Sequence, residues 1–125
     1  MKIIRLVPLC MIAVLSLSLI SCKDSTEINP NNPPLAVFSY SPVIIDTSTI
    51  VTFTAIGSND TEDLLNLLRF SWDFEGKQQW TEPLAVPIIN YKYSKSGIYE
   101  VGLQVFDTEG WSGKTSSIII VNDSI

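Results

Sequence analysis

The amino-acid sequence predicts an all-β sandwich of about seven short strands, preceded by a leader and a polar linker. Three observations lead to this fold class. Apolar and polar residues alternate with period two from residue 35 onward. Turn-forming residues interrupt that alternation about every ten positions, as they do in β-sandwiches. The length of 125 residues is enough for one domain of this kind.

The first 21 residues are expected to be a leader rather than part of the domain. Lys2 and Arg5 supply a short positive region, and a largely apolar run follows at positions 6–20. This run is shorter than the roughly 20 apolar residues that a membrane-spanning helix needs. Its charge, its length and its small-residue end are typical of a secretory signal, which is removed from the mature protein.

The end of the leader carries a more specific motif. The tetrapeptide LISC at positions 19–22 resembles the lipobox of bacterial lipoproteins. That resemblance implies that the Cys22 thiol receives a diacylglyceryl group and that Cys22 becomes the acylated first residue after cleavage. A thiolate is the nucleophile that such a transfer requires. The alternative is an ordinary secretory signal with an incidental cysteine. Cys10 lies inside the leader, so the mature chain has no partner for a disulfide bond.

Residues 22–33 are predicted to be the lipidated cysteine and a flexible linker. The segment is rich in proline and asparagine and contains a single aliphatic residue, Ile28, so it cannot bury a core. Its first residues, a lysine followed by Asp24 and Glu27, resemble in part the surface-export signals of Bacteroidota lipoproteins. A generic polar tether is the alternative. The expected location is the cell envelope, anchored by lipid to the outer membrane, with exposure at the cell surface as a further expectation.

Charge narrows the classes of partner. Without the two basic residues of the leader, the chain carries six basic and thirteen acidic side chains, a net charge of −7. No basic patch is visible in the sequence, so a nucleic-acid partner is not expected. The chain contains no histidine, which excludes histidine-dependent nucleophile pairs and histidine metal ligands. No cofactor is predicted.

The domain is predicted to span residues 34–122, with each strand read from its alternation. The strand regions are residues 35–40, 49–56, 70–75, 85–93, 99–105 and 115–121. Pro87 interrupts the fourth region and indicates an edge strand. Residues 61–68, TEDLLNLL, are expected to be a loop with one helical turn that packs its leucines against the sandwich. The alternative for Leu64, Leu65 and their neighbours is an exposed apolar contact site.

Two motifs carry a family resemblance. The pentapeptide WDFEG at positions 72–76 is similar to the family motif Trp-Asp-Phe-Gly-Asp-Gly of PKD domains, the immunoglobulin-like module first recognised in polycystin. The second motif is Tyr-x₃-Gly-x-Tyr-x-Val-x-Leu-x-Val-x-Asp-x-x-Gly. This chain fills all its positions with Tyr93, Gly97, Tyr99, Val101, Leu103, Val105, Asp107 and Gly110.

The resemblance implies an immunoglobulin-like sandwich with no catalytic residues of its own. PKD domains commonly act as extracellular interaction or spacer modules, often attached to hydrolases. Trp72 takes the place of the buried sandwich tryptophan, and Tyr99 that of the tyrosine corner. The chain departs from the family by a shortened WDFEG motif and by the leucine-rich loop before Trp72. Both departures lie in loops, so they affect any loop-borne function rather than the fold.

Two acidic groups are candidates for chemistry. Asp73 and Glu75 are two residues apart on a strand, so both are expected on the solvent-facing side, opposite Trp72. Such a pair suits a glycoside hydrolase only inside a cleft, which a small sandwich does not obviously offer.

Asp60, Glu62 and Asp63 share one loop, and their carboxylates are candidate calcium ligands. Their spacing fits no dedicated calcium loop. Acids that form a turn in water are the simpler interpretation.

Aromatic residues after turns are the remaining candidates. Trp80 and Trp111 each follow a glycine-containing turn, where an indole either stacks on a sugar, anchors a protein partner or caps the core. The sequence therefore predicts an anchored, non-enzymatic lipoprotein that binds protein or polysaccharide or acts as a spacer. A subunit that docks through the 64–68 loop is the alternative, and a carboxylate-dependent glycoside hydrolase is a weaker one.

Overall fold

A computed structural model describes residues 30–125, and these residues form two β-sheets packed face to face. Period-two alternation accounts for the elements, because each long strand buries every second side chain. The strands are β1 (Ser39–Ser41), β2 (Ile45–Asp46), β3 (Val51–Thr54), β4 (Arg69–Asp73), β5 (Ile88–Tyr91), β6 (Gly97–Phe106) and β7 (Ser112–Asn122). The predicted all-β fold of about seven strands is confirmed.

One sheet has three strands in the order β1-β3-β5, and the other has four in the order β2-β7-β6-β4. All pairs are antiparallel except β2 with β7, which is parallel. The longest pairing joins β6 and β7 over ten residue pairs, from Gly97 opposite Val121 to Phe106 opposite Ser112. As its proline indicated, β5 is an edge strand, since it pairs only with β3.

An aromatic cluster fills the space between the sheets. Trp72 is 1% exposed and lies between Phe53, at a centroid distance of 5.6 Å, and Phe74, which stacks on it at 5.8 Å. Phe70 is buried on the same face of β4. The prediction that Phe70, Trp72 and Phe74 belong to the core is confirmed. Aromatic pairs at these separations add about 0.5–1.5 kcal/mol each beyond the area that they bury.

Two tyrosines use their hydroxyl groups to fix loops. The Tyr99 hydroxyl donates to the carbonyl oxygen of Lys95 at 2.7 Å, which confirms the predicted tyrosine corner. The buried Tyr93 donates to the carbonyl oxygen of Phe74 at 2.9 Å. Burial raises the pKa of Tyr93, with smaller contributions from Tyr91 and Tyr99 nearby. The hydroxyl therefore stays protonated and remains a donor.

Hydrogen bonds reach into the segment predicted to be a linker, and the first strand begins later than predicted. Asn31 donates to Asp107 Oδ2 at 2.5 Å, and Asn32 donates through its backbone to Glu62 Oε1 at 2.9 Å. The predicted bounds of the linker and of the domain stay a prediction. At positions 35–40, only an isolated bridge from Leu35 to Asn59 precedes β1. The predicted leader and Cys22 lie outside the described residues.

A close backbone approach joins the start of the domain to β7. A Cβ on Gly113 would lie 2.0 Å from the carbonyl oxygen of Pro34, so the contact requires glycine. Across residues 30–125, the structure contains no helix with the length and hydropathy of a membrane span. The 3₁₀ turn Leu65–Leu67 supplies the helical turn expected in the leucine-rich loop.

Candidate functional site

A cleft of about 310 Å³ lies on the outer face of the four-stranded sheet. Its floor is formed by β6 and β7, and one wall is formed by the turn that follows β4. The residues that line it are mainly polar, with one indole among them. They are Asp73, Gly76, Gln78, Trp80, Glu100, Gly102, Lys114, Thr115 and Ser116.

The floor follows from the register of β6 and β7. Gly102 lies opposite Ser116, and alternate residues on both strands face outward. Glu100 is therefore on the same face as Gly102, one outward position earlier in β6. Its Oε2 accepts a hydrogen bond from the Ser116 hydroxyl at 3.0 Å. Because Gly102 has no side chain, a neighbouring side chain can approach the backbone of β6 closely at the middle of the floor.

Asp73 holds the wall in place and is not exposed. Its side chain is 2% exposed, and its Oδ1 accepts from the backbone N–H groups of Gly76 and Lys77 at 3.1 and 3.3 Å. Its Oδ2 accepts from the backbone N–H of Gln78 at 2.7 Å. The expectation that Asp73 faces solvent is wrong, because the turn that it organises covers this part of the outer face.

The turn itself has unusual backbone geometry. Gly76 has a φ of 71°, and Gln78 has a φ of 61°, in the left-handed region that side chains disfavour. A Cβ on Gly76 would lie 2.9 Å from the carbonyl oxygen of Glu100. Gly76 therefore allows the turn to rest directly on β6. Left-handed Gln78 lines the cleft that this turn bounds.

Trp80 leans over the cleft from the segment that follows the turn. Backbone pairing fixes this segment beside β4, since Thr81 N–H donates to the carbonyl oxygen of Trp72 at 2.9 Å. The Trp80 indole is half-buried, and its Cη2 would lie 2.9 Å from a Cβ on Gly102. Lys114 Nζ lies 5.3 Å from the centroid of the ring, within range of a cation–π interaction.

Glu75 does not form a carboxylate pair with Asp73. β4 ends at Asp73, so Glu75 lies in the turn, where its Oε2 is 3.3 Å from Lys77 Nζ. Its Oε1 accepts from the Tyr91 hydroxyl at 3.4 Å. Burial, together with the charge of Glu75, raises the pKa of Tyr91. The two acids have separate partners, and the arrangement lacks the acid and base facing across a substrate that glycoside hydrolysis needs.

Trp111 lies at the β6–β7 turn and is 52% exposed. Its backbone N–H donates to Asp107 Oδ1 at 2.9 Å, as does that of Glu109 at 2.8 Å. Desolvation disfavours ionisation of Asp107, but these bonds and the one from Asn31 outweigh it, so its pKa is lowered. Trp111 is not among the residues that line the cleft, so its role in binding stays a prediction.

The acids considered as calcium ligands are bound to different protein donors. Asp60 Oδ1 accepts from the backbone N–H of Glu62 at 2.7 Å, and Asp63 Oδ2 accepts from the Thr108 hydroxyl at 2.8 Å. Glu62 accepts from Asn32 and from the hydroxyl of Thr61. In residues 30–125, no group of three or more acidic, histidine or cysteine side chains is placed to share a metal ion. Calcium binding takes about six to eight oxygen ligands.

The leucine-rich loop is divided between core and surface. Leu68 is fully buried and Leu65 packs against the core, whereas Leu64 is 72% exposed and Leu67 is 46% exposed. Leu64 and Leu65 line a shallow apolar hollow with Asn66, Ala85 and Pro87. Leu65 and Leu68 therefore pack as predicted, whereas Leu64 and Leu67 are exposed and their role as a contact site stays a prediction.

Sequence reasoning singled out Trp80 but missed the residues that surround it. Glu100, Lys114 and Ser116 occupy outward positions in two strongly alternating segments, and that alternation was the available signal. Which outward positions meet Trp80 depends on the β6–β7 register and on the course of residues 76–80. A single sequence does not reveal either.

Comparisons with known proteins agree with this geometry. The sequence model of the PKD domain family matches residues 36–120. A comparison with curated proteins returned no match. Among solved structures, one that addresses the promiscuous specificity of carbohydrate-binding modules from the β-sandwich superfamily has a TM-score of 0.68 and 32% sequence identity. The alignment covers 77% of this chain and only 37% of that one.

Two further solved structures are isolated PKD1 domains. The domain of Vibrio anguillarum Epp has a TM-score of 0.59 and 24% identity, covering 76% of this chain and all of that one. The domain of the Vibrio cholerae metalloprotease PrtV has a TM-score of 0.56 and 26% identity, covering 73% of this chain and 99% of that one. The family match extends over most of the chain, and the fold agrees. The chain therefore belongs to the PKD domain family.

Proposed function

We propose that this protein is a lipid-anchored lipoprotein of the cell envelope whose PKD domain is a non-catalytic module for binding or spacing. The ligand is a protein or a carbohydrate held in the cleft under Trp80. The observation that carries the proposal is the cleft itself. An indole that is only half-buried lies beside an ammonium, a carboxylate and a hydroxyl group, all on an open sheet face. Convergent polar groups around an apolar wall are typical of ligand sites.

The absence of a catalytic role rests on how the acids are used. Asp73 accepts three backbone hydrogen bonds, and Glu75 contacts Lys77 and Tyr91. Asp73 is buried under the turn and Glu75 lies outside the cleft lining, so the two acids do not face each other across a substrate. The match to the PKD family supports the same conclusion, since these domains serve as accessory modules. The carbohydrate-binding subject of one similar structure supports a sugar ligand.

The anchoring part of the proposal rests on sequence motifs. Residues 1–21 act as the signal, Cys22 carries the acyl chains, and the residues that follow tether the domain to the outer membrane. A three-chain anchor holds firmly, because each buried CH₂ adds about 0.8 kcal/mol and one chain alone is marginal. The partial resemblance to a Bacteroidota surface-export signal supports a location on the outside of the cell.

Labelling with radioactive palmitate tests the anchor. We expect label in the wild-type protein, accumulation of the uncleaved form with globomycin, and loss of both label and membrane partition in Cys22→Ser. Cys10→Ser is the matched control, because this cysteine lies within the leader and should leave labelling unchanged. A Cys22→Ser protein that still sediments with membranes would contradict lipid anchoring.

A combined assay separates binding from catalysis. Full-length protein is incubated with polysaccharides, and both retention and release of reducing ends are measured. We expect retention without product. Product formation that disappears in Glu75→Gln, a residue outside the cleft lining, would overturn the non-catalytic assignment in favour of a hydrolase.

A second candidate function is docking within a larger envelope complex. Leu64 lines an apolar hollow with Ala85 and Pro87, Leu67 is exposed in the same loop, and exposed apolar patches mark contact surfaces. Co-purification after cross-linking tests it, with Leu64→Ser and Leu67→Ser combined in one variant. Ile50→Ser is the control, because Ile50 is 60% exposed outside this hollow. Loss of a partner in the leucine variant alone would favour this function.

A further inference from the structure

We infer that the cleft under Trp80 binds one pyranose ring of a neutral polysaccharide. This inference rests on the proposed binding function and specifies its site and its ligand class. Three properties of the cleft lead to it. They are its size, the pairing of an aromatic wall with mixed donors and acceptors, and the near balance of accessible charge.

The size of the cleft suits a small ring. Its volume of about 310 Å³ is at the lower end of the range of small-ligand sites, about 300–1,000 Å³. The strand at its floor, β6, is hydrogen-bonded on both sides, to β4 and to β7. An extended peptide cannot add to this floor as a further strand, because strand addition requires a free edge. The main peptide-binding mode of β-sheets is thus absent from the cleft.

Trp80 provides a wall of the right chemistry. A pyranose has a face of C–H groups, which packs well on an indole, and a rim of hydroxyl groups. The indole is held over Gly102, and its segment is fixed by the backbone pairing of Thr81 with Trp72. The side chain is therefore positioned before any ligand arrives, which lowers the entropic cost of binding.

The remaining side chains match a rim of hydroxyl groups. Each sugar hydroxyl both donates and accepts, so a matching site needs donors and acceptors at close spacing. Gln78 offers both, Glu100 accepts, Lys114 donates and Ser116 does either. Glu100 and Ser116 are already hydrogen-bonded to each other at 3.0 Å, which holds an acceptor and a hydroxyl in the cleft.

Charge favours a neutral ligand. Glu100 and Lys114 bring one charge of each sign into the cleft, and the Asp73 carboxylate is directed to the backbone of the turn. The chain beyond the leader is strongly acidic, which repels polyanions. A uronic-acid polymer would therefore bind less well than a neutral glucan, xylan or mannan.

Affinity electrophoresis of the full-length protein in detergent tests the inference. The gels contain a mixed-linkage glucan, a xylan, a galactomannan or polygalacturonate. We expect at least one neutral polymer to retard the wild-type protein. Trp80→Ala should bind about tenfold more weakly, whereas Trp111→Ala, which removes an exposed indole outside the cleft, should bind normally. Ser116→Ala should weaken binding several-fold, and its exposed position protects the fold.

Thermal unfolding of each variant shows whether it is folded. If Trp80→Ala does not fold, Ser116→Ala alone tests the cleft. Retention that is insensitive to both cleft variants would overturn the inference and leave the binding function intact, because the site would lie elsewhere. Retention by polygalacturonate alone would overturn the ligand class. Retention by none of the four polymers would overturn the inference, while cross-linking to envelope proteins decides the proposed function separately.

Discussion

The six-membered ring of Trp80 lies above Gly102, and no side chain separates the indole from the backbone of β6. A Cβ on Gly102 would lie 2.9 Å from Cη2 of the ring. An indole normally packs against side chains, and here the missing side chain creates both the space for the ring and the floor of the cleft. The contact links the turn after β4 to the middle of the sheet.

Gly102→Ala should displace Trp80 and reduce ligand retention several-fold while changing the free energy of unfolding by less than about 1 kcal/mol. The added methyl group meets only the far end of a half-buried side chain, which can swing outward. Polysaccharide retention and urea unfolding are the measurements. Gln104→Ala, one outward position further along β6, is the control and should retain ligand. Equal retention in Gly102→Ala would show that the position of Trp80 does not matter.

Asp73→Asn should destabilise the domain by about 2–3 kcal/mol, because an amide group would face the backbone N–H of Gln78 in place of an acceptor. Denaturant unfolding measures the change. Glu75→Gln is the matched control, since Glu75 lies in the turn and makes only long contacts, and a change below about 0.5 kcal/mol is expected. Similar losses in both variants would contradict the structural role of Asp73.

Gln78→Gly should stabilise the domain by about 0.5–1 kcal/mol, since a φ of 61° strains any residue with a Cβ. The same substitution removes an amide from the cleft and should weaken ligand retention. Opposite changes in stability and binding would indicate that the strain is kept for function. Gln79→Gly, at a position without positive φ, should destabilise the domain slightly. A destabilised Gln78→Gly would refute the interpretation.

The stability of the domain should fall on acidification below about pH 4, and Asp107 should contribute to this loss. Its pKa is lowered in the folded state, so the unfolded chain takes up the proton first as the pH falls. The contribution of Asp107 is complete above the unfolded pKa and disappears as the pH passes through the folded pKa.

Urea midpoints between pH 2 and pH 6 measure this effect, and Asp107→Asn should show a shallower acid loss than the wild type. Glu62 and Asp46 also have lowered pKa values, through hydrogen bonds from Thr61 and Ser48 respectively, so part of the acid loss should remain. Parallel curves for the two proteins would rule out a contribution from Asp107.

Tyr99→Phe should cost about 1 kcal/mol of stability, since it removes only the hydrogen bond to the carbonyl oxygen of Lys95. Thermal and urea unfolding report the loss, and ligand retention should not change because Tyr99 lies outside the cleft lining. If the free energy of unfolding changes by less than the experimental error, a hydrogen bond from the Tyr99 hydroxyl to water is worth as much as the one to the Lys95 carbonyl.

The core was predictable because its physics is local in sequence. Alternation alone assigned Trp72, Phe70 and Phe74 to the inside, and the structure buries all three. Tyr99 was recognisable from its motif, and its hydroxyl reaches a carbonyl oxygen only four residues earlier. Features of this kind depend on neighbours along the chain, so a single sequence contains the information.

The cleft was not predictable, because it depends on how a turn folds back. Alternation correctly placed Asp73 on the outer face, and the error lay in equating that face with solvent. The left-handed Gln78 and the pairing of Thr81 with Trp72 bring residues 76–80 over the sheet. Gln78 is not a glycine, so its residue type does not signal a positive φ. Residues 81–84 contain too little alternation to predict that their backbone bonds to β4.

Asp73 accepts three hydrogen bonds from the turn after β4, and all three donors are backbone N–H groups. The shape of the turn is therefore imposed by the last residue of β4, the strand that the turn follows, and not by the side chains of the turn itself. The side chain of Gln78, which lines the cleft, can therefore be exchanged, and the border of the cleft can be redesigned or can diverge in evolution while the scaffold keeps its stability. Asp73 at the end of β4 stabilises the turn, and the side chains of the turn determine what the cleft recognises.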